Sequence, residues 1–138
     1  MTNRLLITLA LAAFPVLLFA QDHELLGTWE SLDPDEPVHM ILDEEGFITF
    51  KVNGQLMGGK GYNVDGNLVR MTYKTHVKQS KLKITITIKD LMRKEVLKRD
   101  TGTIVFKDPN NIEMCFKKPS ENEMDRHTND CRNFLKIM

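Results

Sequence analysis

The sequence predicts an all-β protein folded as an antiparallel up-and-down β-barrel of eight to nine strands. Three observations lead there. Leu82, Ile84, Ile86 and Ile88 alternate with Lys83, Thr85, Thr87 and Lys89; no helix has that period of two, and it demands one buried face. Further short runs with the same alternation follow one another through hairpin-like turns, with no substantial helix among them. Their order reads as a meander without a long crossover. That favours a closed barrel over a two-sheet sandwich, because closure removes the exposed strand edges.

The first strand is Leu25 to Leu32. It holds the only tryptophan, Trp29, on the same face as Gly27, whose missing side chain leaves room beside the indole. Asp33-Pro34-Asp35-Glu36-Pro37 suits neither helix nor ladder and is a loop. Val38 to Asp43 and Phe47 to Asn53 form a hairpin about Glu44-Glu45-Gly46. Val38, Met40 and Leu42 share one face of the first arm, and Ile48, Phe50 and Val52 share one face of the second. Gly54 to Gly61 is a glycine-rich bend. Tyr62 to Val64 is a short strand, and Asp65-Gly66 turns it into Leu68 to Thr75. There Val69, Met71 and Tyr73 oppose Arg70, Thr72 and Lys74. His76 to Lys81 reads as a polar loop before the Leu82 to Lys89 strand. A hairpin tip near Arg93-Lys94 leads into a strand from Val96 to Lys107, with Ile104 and Phe106 inward. Asp108-Pro109-Asn110-Asn111 is a turn. Ile112 to Lys117 sets Ile112, Met114 and Phe116 inward and Cys115 outward. Pro119 to Asp130 is polar and weakly structured, and Asn133 to Ile137 is the last strand.

The 138 residues make one domain at most. Met1 to Ala20 stands outside it. Arg4 is its only charge, Leu5 to Leu18 is almost wholly apolar, and Leu18-Phe19-Ala20 ends on a small residue. That is the pattern of a secretory signal peptide cleaved after Ala20, with residues 21–138 as the exported barrel domain, periplasmic or secreted and not integral to the membrane. Taking Arg4 from 19 basic residues leaves 18 against 19 acidic ones, a net charge of −1. Such balance argues against nucleic acid as a partner. The charges are unevenly placed: Asp22 to Glu45 holds nine acids and no Lys or Arg, while Arg70 to Arg99 holds ten basic residues and two acids, Asp90 and Glu95. An oxidising compartment permits a disulfide between Cys115 and Cys131; the other reading is two separate thiols.

Leu26-Gly27-Thr28-Trp29-Glu30 resembles the G-x-W opening of lipocalins. The Glu45-Gly46 hairpin and Thr101-Gly102-Thr103-Ile104-Val105-Phe106 are similar to segments of small exported bacterial lipocalin-like proteins of the calycin type. So are Asn111-Ile112-Glu113-Met114-Cys115-Phe116 and Phe134-Leu135-Lys136. The likeness runs from Leu25 to Met138. It implies that Gly27 and Trp29 form the structural floor of the barrel, with a basic side chain over the indole, either Arg132 or Lys136. The T-D-Y motif and the C-terminal helix of typical lipocalins are absent.

The lumen set is Met40, Leu42, Ile48, Phe50, Val52, Tyr62, Met71, Tyr73, Ile84, Ile86, Ile104, Phe106, Met114 and Phe116. It describes either a pocket for a small apolar molecule, with Tyr62 and Tyr73 as polar handles, or a packed core without a cavity. Gly54-Gln55-Leu56-Met57-Gly58-Gly59-Lys60-Gly61 nearly spells a phosphate-binding loop. Gly61 replaces the Ser or Thr that holds Mg²⁺, and no helix follows. Arg70, Lys74, Lys83 and Lys89, with Lys78 and Lys81 between them, fit either an anion-binding surface or a solvated face. His23, His39 and His76 are scattered; His127 and Cys131, beside Asp125 and Asp130, lack a second ligand pair, so no metal is expected. No G-x-S-x-G, H-E-x-x-H or paired-carboxylate motif is present, and no cofactor or catalytic residue is assigned. The expected function is non-enzymatic binding of a small apolar or amphipathic ligand by an exported monomer. The alternative is a protein-interaction or inhibitor module that acts through its surface around a filled barrel.

Overall fold

The computed structural model describes residues 25–117 and 129–138. The leader and its cleavage point, His23, Asp125, His127 and most of the polar Pro119 to Asp130 segment lie outside the described residues. Ten antiparallel strands make up the domain: β1 (Gly27–Ser31), β2 (Val38–Leu42), β3 (Ile48–Val52), β4 (Gln55–Gly58), β5 (Tyr62–Val64), β6 (Asn67–Lys78), β7 (Lys81–Asp90), β8 (Glu95–Asp108), β9 (Asn111–Lys117) and β10 (Asn129–Lys136). Their order, β4-β3-β2-β1-β10-β9-β8-β7-β6-β5, is an up-and-down meander in which, among the ladder pairs, only β1–β10 joins strands that do not follow one another in sequence. Among the described residues no helix is long and apolar enough to cross a membrane.

The barrel is nearly closed along a seam between the ends of the sheet. Met71 donates its N–H to the Gly59 carbonyl (2.9 Å), Tyr73 donates to Gly46 (2.9 Å), and Phe47 bridges to Thr72. Glycine is required there. Gly58 has φ +98°, and a Cβ on it would lie 2.6 Å from the Ile48 carbonyl oxygen.

Three expectations are corrected. The glycine-rich bend contains β4, the tenth strand; its Gln55-Leu56-Met57 run is exposed and flanked by glycines, so it lacks the apolar alternation that marks a strand. The polar loop from His76 to Lys81 is instead strand on both sides of a two-residue turn. Gln79 and Ser80 take φ of +52° and +61° without glycine or asparagine, so the usual hairpin signal is missing. The last strand also starts earlier than Asn133, and Cys131 lies within it.

The core is layered. Trp29, Met40, Leu42, Ile48, Ile84 and Ile112 are buried to 1% exposure or less. Trp29 donates its indole N–H to the Leu25 carbonyl (2.9 Å) and meets Phe106 edge to face at 6.4 Å. Lys136 Nζ stands 5.5 Å from the centre of the indole ring. Lys136, not Arg132, is therefore the basic side chain over the tryptophan. The space beside Gly27 is filled by the Lys136 stem and the Met138 carbonyl, which a Cβ would strike. This end is shut.

Candidate functional site

The inner face of β10 carries Asp130, Arg132, Phe134 and Lys136 in alternation. Lys136 belongs to the closed end. Arg132 and Asp130 lie toward the opposite one, across from Met114 and Phe116 of β9. There a cavity of about 350 Å³ opens away from Trp29. Its walls are Val38 of β2, Phe50 and Val52 of β3, Met57 of β4, Met114 and Phe116 of β9, and Phe134 of β10; Glu36, Asp130 and Arg132 form the rim. The guanidinium of Arg132 donates to the Glu36 carboxylate at 2.6 Å. With that pair neutralised, Asp130 leaves the rim net negative. The size is near the lower end for a small-molecule site, and an apolar lining with a few polar groups at its lip is the usual chemistry of one.

A second depression, about 500 Å³, lies at the shut end between the β6–β7 turn and β8. Its lining includes both Ile104 and Phe106 from the inner face of β8 and Thr103 and Val105 from the outer face. It therefore wraps a strand edge.

The lumen residues named from sequence divide between these regions. Phe50, Val52, Met114 and Phe116 line the open cavity. Met40, Leu42, Ile48, Met71, Ile84 and Ile104 are buried in the packed layers, with Ile86 and Phe106 packed against them. Tyr73 donates its hydroxyl to the Asp43 carbonyl (2.9 Å) beside the seam. Burial raises the Tyr62 pKa. Neither tyrosine lines the cavity. Its polar groups come instead from Glu36, Asp130 and Arg132. Reading the period-two pattern back from Phe134 would have found the last two. Nothing local links Arg132 to Glu36.

Cys115 and Cys131 are bonded, and they are direct cross-strand partners in the β9–β10 ladder. They sit on the outer side of the wall whose inner side carries Met114 and Arg132. Glu113 is close enough to share a metal with the two sulfurs. Because the sulfurs are joined, that grouping reduces to one carboxylate, as does any role for Cys131 beside Asp130.

Gly102 supports the same wall. It faces Phe116 across the β8–β9 ladder, and a Cβ on it would lie 2.7 Å from both the Phe116 ring and the Cys115 carbonyl oxygen. The ring can shift; the backbone oxygen cannot shift cheaply. Gly102→Ala should cost about 1–3 kcal/mol by overpacking and displace Phe116 from the cavity. Thermal melts and the dye titration described below read the two effects separately.

No family model matches the chain, and no curated protein matches its sequence. Among solved structures, Pallilysin of Treponema pallidum is similar with a TM-score of 0.48 and 13% identity, over 85% of this chain and 82% of that chain. A likeness at that level fixes neither family nor function.

Proposed function

We propose that residues 21–138 form an exported, monomeric, lipocalin-like protein that binds a small apolar or amphipathic molecule without catalysis. The observation that carries this reading is the apolar cavity opposite Trp29, with its polar rim. An amphipathic ligand would place its body among Phe50, Met114, Phe116 and Phe134 and its head beside Glu36, Asp130 and Arg132. Methionines at two wall positions, Met57 and Met114, adapt to varied shapes. The disulfide supports an oxidising compartment, in keeping with the secretory pattern of Met1 to Ala20.

The test is titration of the purified protein with N-phenyl-1-naphthylamine, followed by competition with fatty acids and isoprenoids. Dye emission should rise on binding and fall on competition. Val52→Trp, which fills the cavity from β3, should abolish the rise while the far-UV circular dichroism stays unchanged. A folded protein that takes up no member of a broad apolar library would overturn the reading. Native mass spectrometry of protein from its own host would show a carried ligand as added mass.

A further inference from the structure

The outer face of β6 and β7 carries a row of cations that its surroundings leave uncompensated. The alternation that turns Val69, Met71 and Ile84 to the core turns Arg70, Lys74, Lys78, Lys81, Lys83 and Lys89 outward. The register then sets like charges against each other. Arg70 is opposite Lys89, and Lys78 is opposite Lys81. Like charges directly opposite destabilise an antiparallel pair, so folding alone has no use for them.

Among the described residues no acid forms an ion pair with this row. Residues 70–89 contain none. Asp90 is only 3% exposed, and its carboxylate accepts from the Met92 and Arg93 N–H groups. On β8 Asp100 pairs with Lys98, and on β9 Glu113 pairs with Lys107. On the other side of β6, strand β5 carries no acid; beyond it the Phe47–Thr72 bridge brings Glu45 alongside Lys74, and Glu95 opens β8, but neither forms an ion pair with the row. Lys83 donates to the Thr103 hydroxyl (3.0 Å), and Arg70 donates to the Lys60 carbonyl (2.9 Å) while lying 5.5 Å over the Phe47 ring. Neither acceptor carries an opposing charge. Lys74, Lys78, Lys81 and Lys89 are exposed and have no ion-pair partner among the described residues.

We propose that this face docks a linear polyanion, and that the partner is an acidic polysaccharide. The shape of the row favours a chain over a flat anionic membrane. From the Lys78–Lys81 rung to the Arg70–Lys89 rung it runs roughly 26 Å at the usual rise of a strand, yet it is only two strands wide, about 5 Å between them. It is a line of charge on the convex wall of a barrel. Between the cations stand Thr72, Thr85 and Thr87, whose hydroxyls suit a sugar chain. Between these two rungs the outer face presents no apolar side chain to enter a bilayer; Leu68, beyond Arg70, is exposed on the outer face of β6. The site is on the outer wall, away from the cavity, and stands independently of the small-molecule reading.

The experiment measures affinity for heparin and for polygalacturonate, a sulfated and a carboxylated probe, across a salt series. Both should bind, with log affinity falling linearly as log salt rises. The triple variant Lys78→Glu, Lys81→Glu, Lys83→Glu should weaken heparin binding at least ~10-fold by removing these charge contacts. A control with the same change in net charge, Lys51→Glu, Lys94→Glu, Lys117→Glu, places the reversals at exposed positions elsewhere and should bind like the parent. Lys81→Glu alone puts opposite charges across from Lys78. It should raise the melting temperature while weakening heparin binding, and it decides the matter if the triple variant does not fold. Equal loss in the control would overturn the proposal, as would salt-insensitive binding. Binding to phosphatidylglycerol vesicles without binding to either polysaccharide would also overturn it, in favour of a membrane.

Discussion

Trp29→Ala should remove about 3–5 kcal/mol of stability, the range for truncating a large buried aromatic. The indole has no exposure at all. Three contacts fix it and all would be lost: the N–H bond to Leu25, the edge contact with Phe106 and the cation of Lys136 over the ring. The cavity left behind could not collapse easily, because Met40, Leu42, Ile48 and Ile112 around the core are held by sheet hydrogen bonds on neighbouring strands. Against a total of about 5–15 kcal/mol for a domain of this kind, the loss is a large share. Urea denaturation followed by circular dichroism measures it. A change under ~1 kcal/mol, no more than an ordinary substitution, would mean that Trp29 is not the floor of this barrel.

Replacing both cysteines by serine should have the next largest effect. The bond spans 16 positions in sequence, and closing a loop of that size in the unfolded chain is worth about 3 kcal/mol. That corresponds to a fall in melting temperature of roughly 10 °C or more. The effect should reach function too. The bond clamps β9 to β10, whose inner faces supply Met114, Phe116, Arg132 and Phe134 to the cavity. Reduction should therefore weaken dye uptake before the barrel unfolds as a whole. Protein purified without reductant should show no titratable thiol; two thiols would sink the prediction.

Most of the fold was legible because most strands have one wet and one dry face. Leu82 to Lys89 and Ile112 to Lys117 fall within a residue of β7 and β9 on that pattern alone. The pattern failed where neither face is dry or where backbone geometry decides. β4 is exposed apart from Gly58, and the turn at Gln79-Ser80 depends on two positive φ angles that no residue type announces. The start of β10 was hidden because Asp130 and Arg132 are polar residues on the inner face, where an alternation search expects apolar ones. The apolar walls of the cavity were thus half visible in Phe50, Val52, Met114 and Phe116. The Arg132–Glu36 contact joins residues 96 positions apart, and only the closed barrel brings them together.

The pairing of β1 with β10 has a consequence for how the chain folds in time. Thr28 exchanges hydrogen bonds with Ile137 and Met138, and Trp29 lies opposite Lys136. The first strand must therefore wait for the last. The β6–β7 and β7–β8 hairpins can zip within about 1–10 μs. Joining β1 to β10 has to overcome a loop-closure entropy on the order of 4 kcal/mol for about 100 intervening residues. Folding should spread outward from the middle of the chain, and the ring would be completed only after β10 has been synthesised. Trp29, the only tryptophan, would then be a clock for the last step: its emission would report when the ring closes, well after the central hairpins have formed.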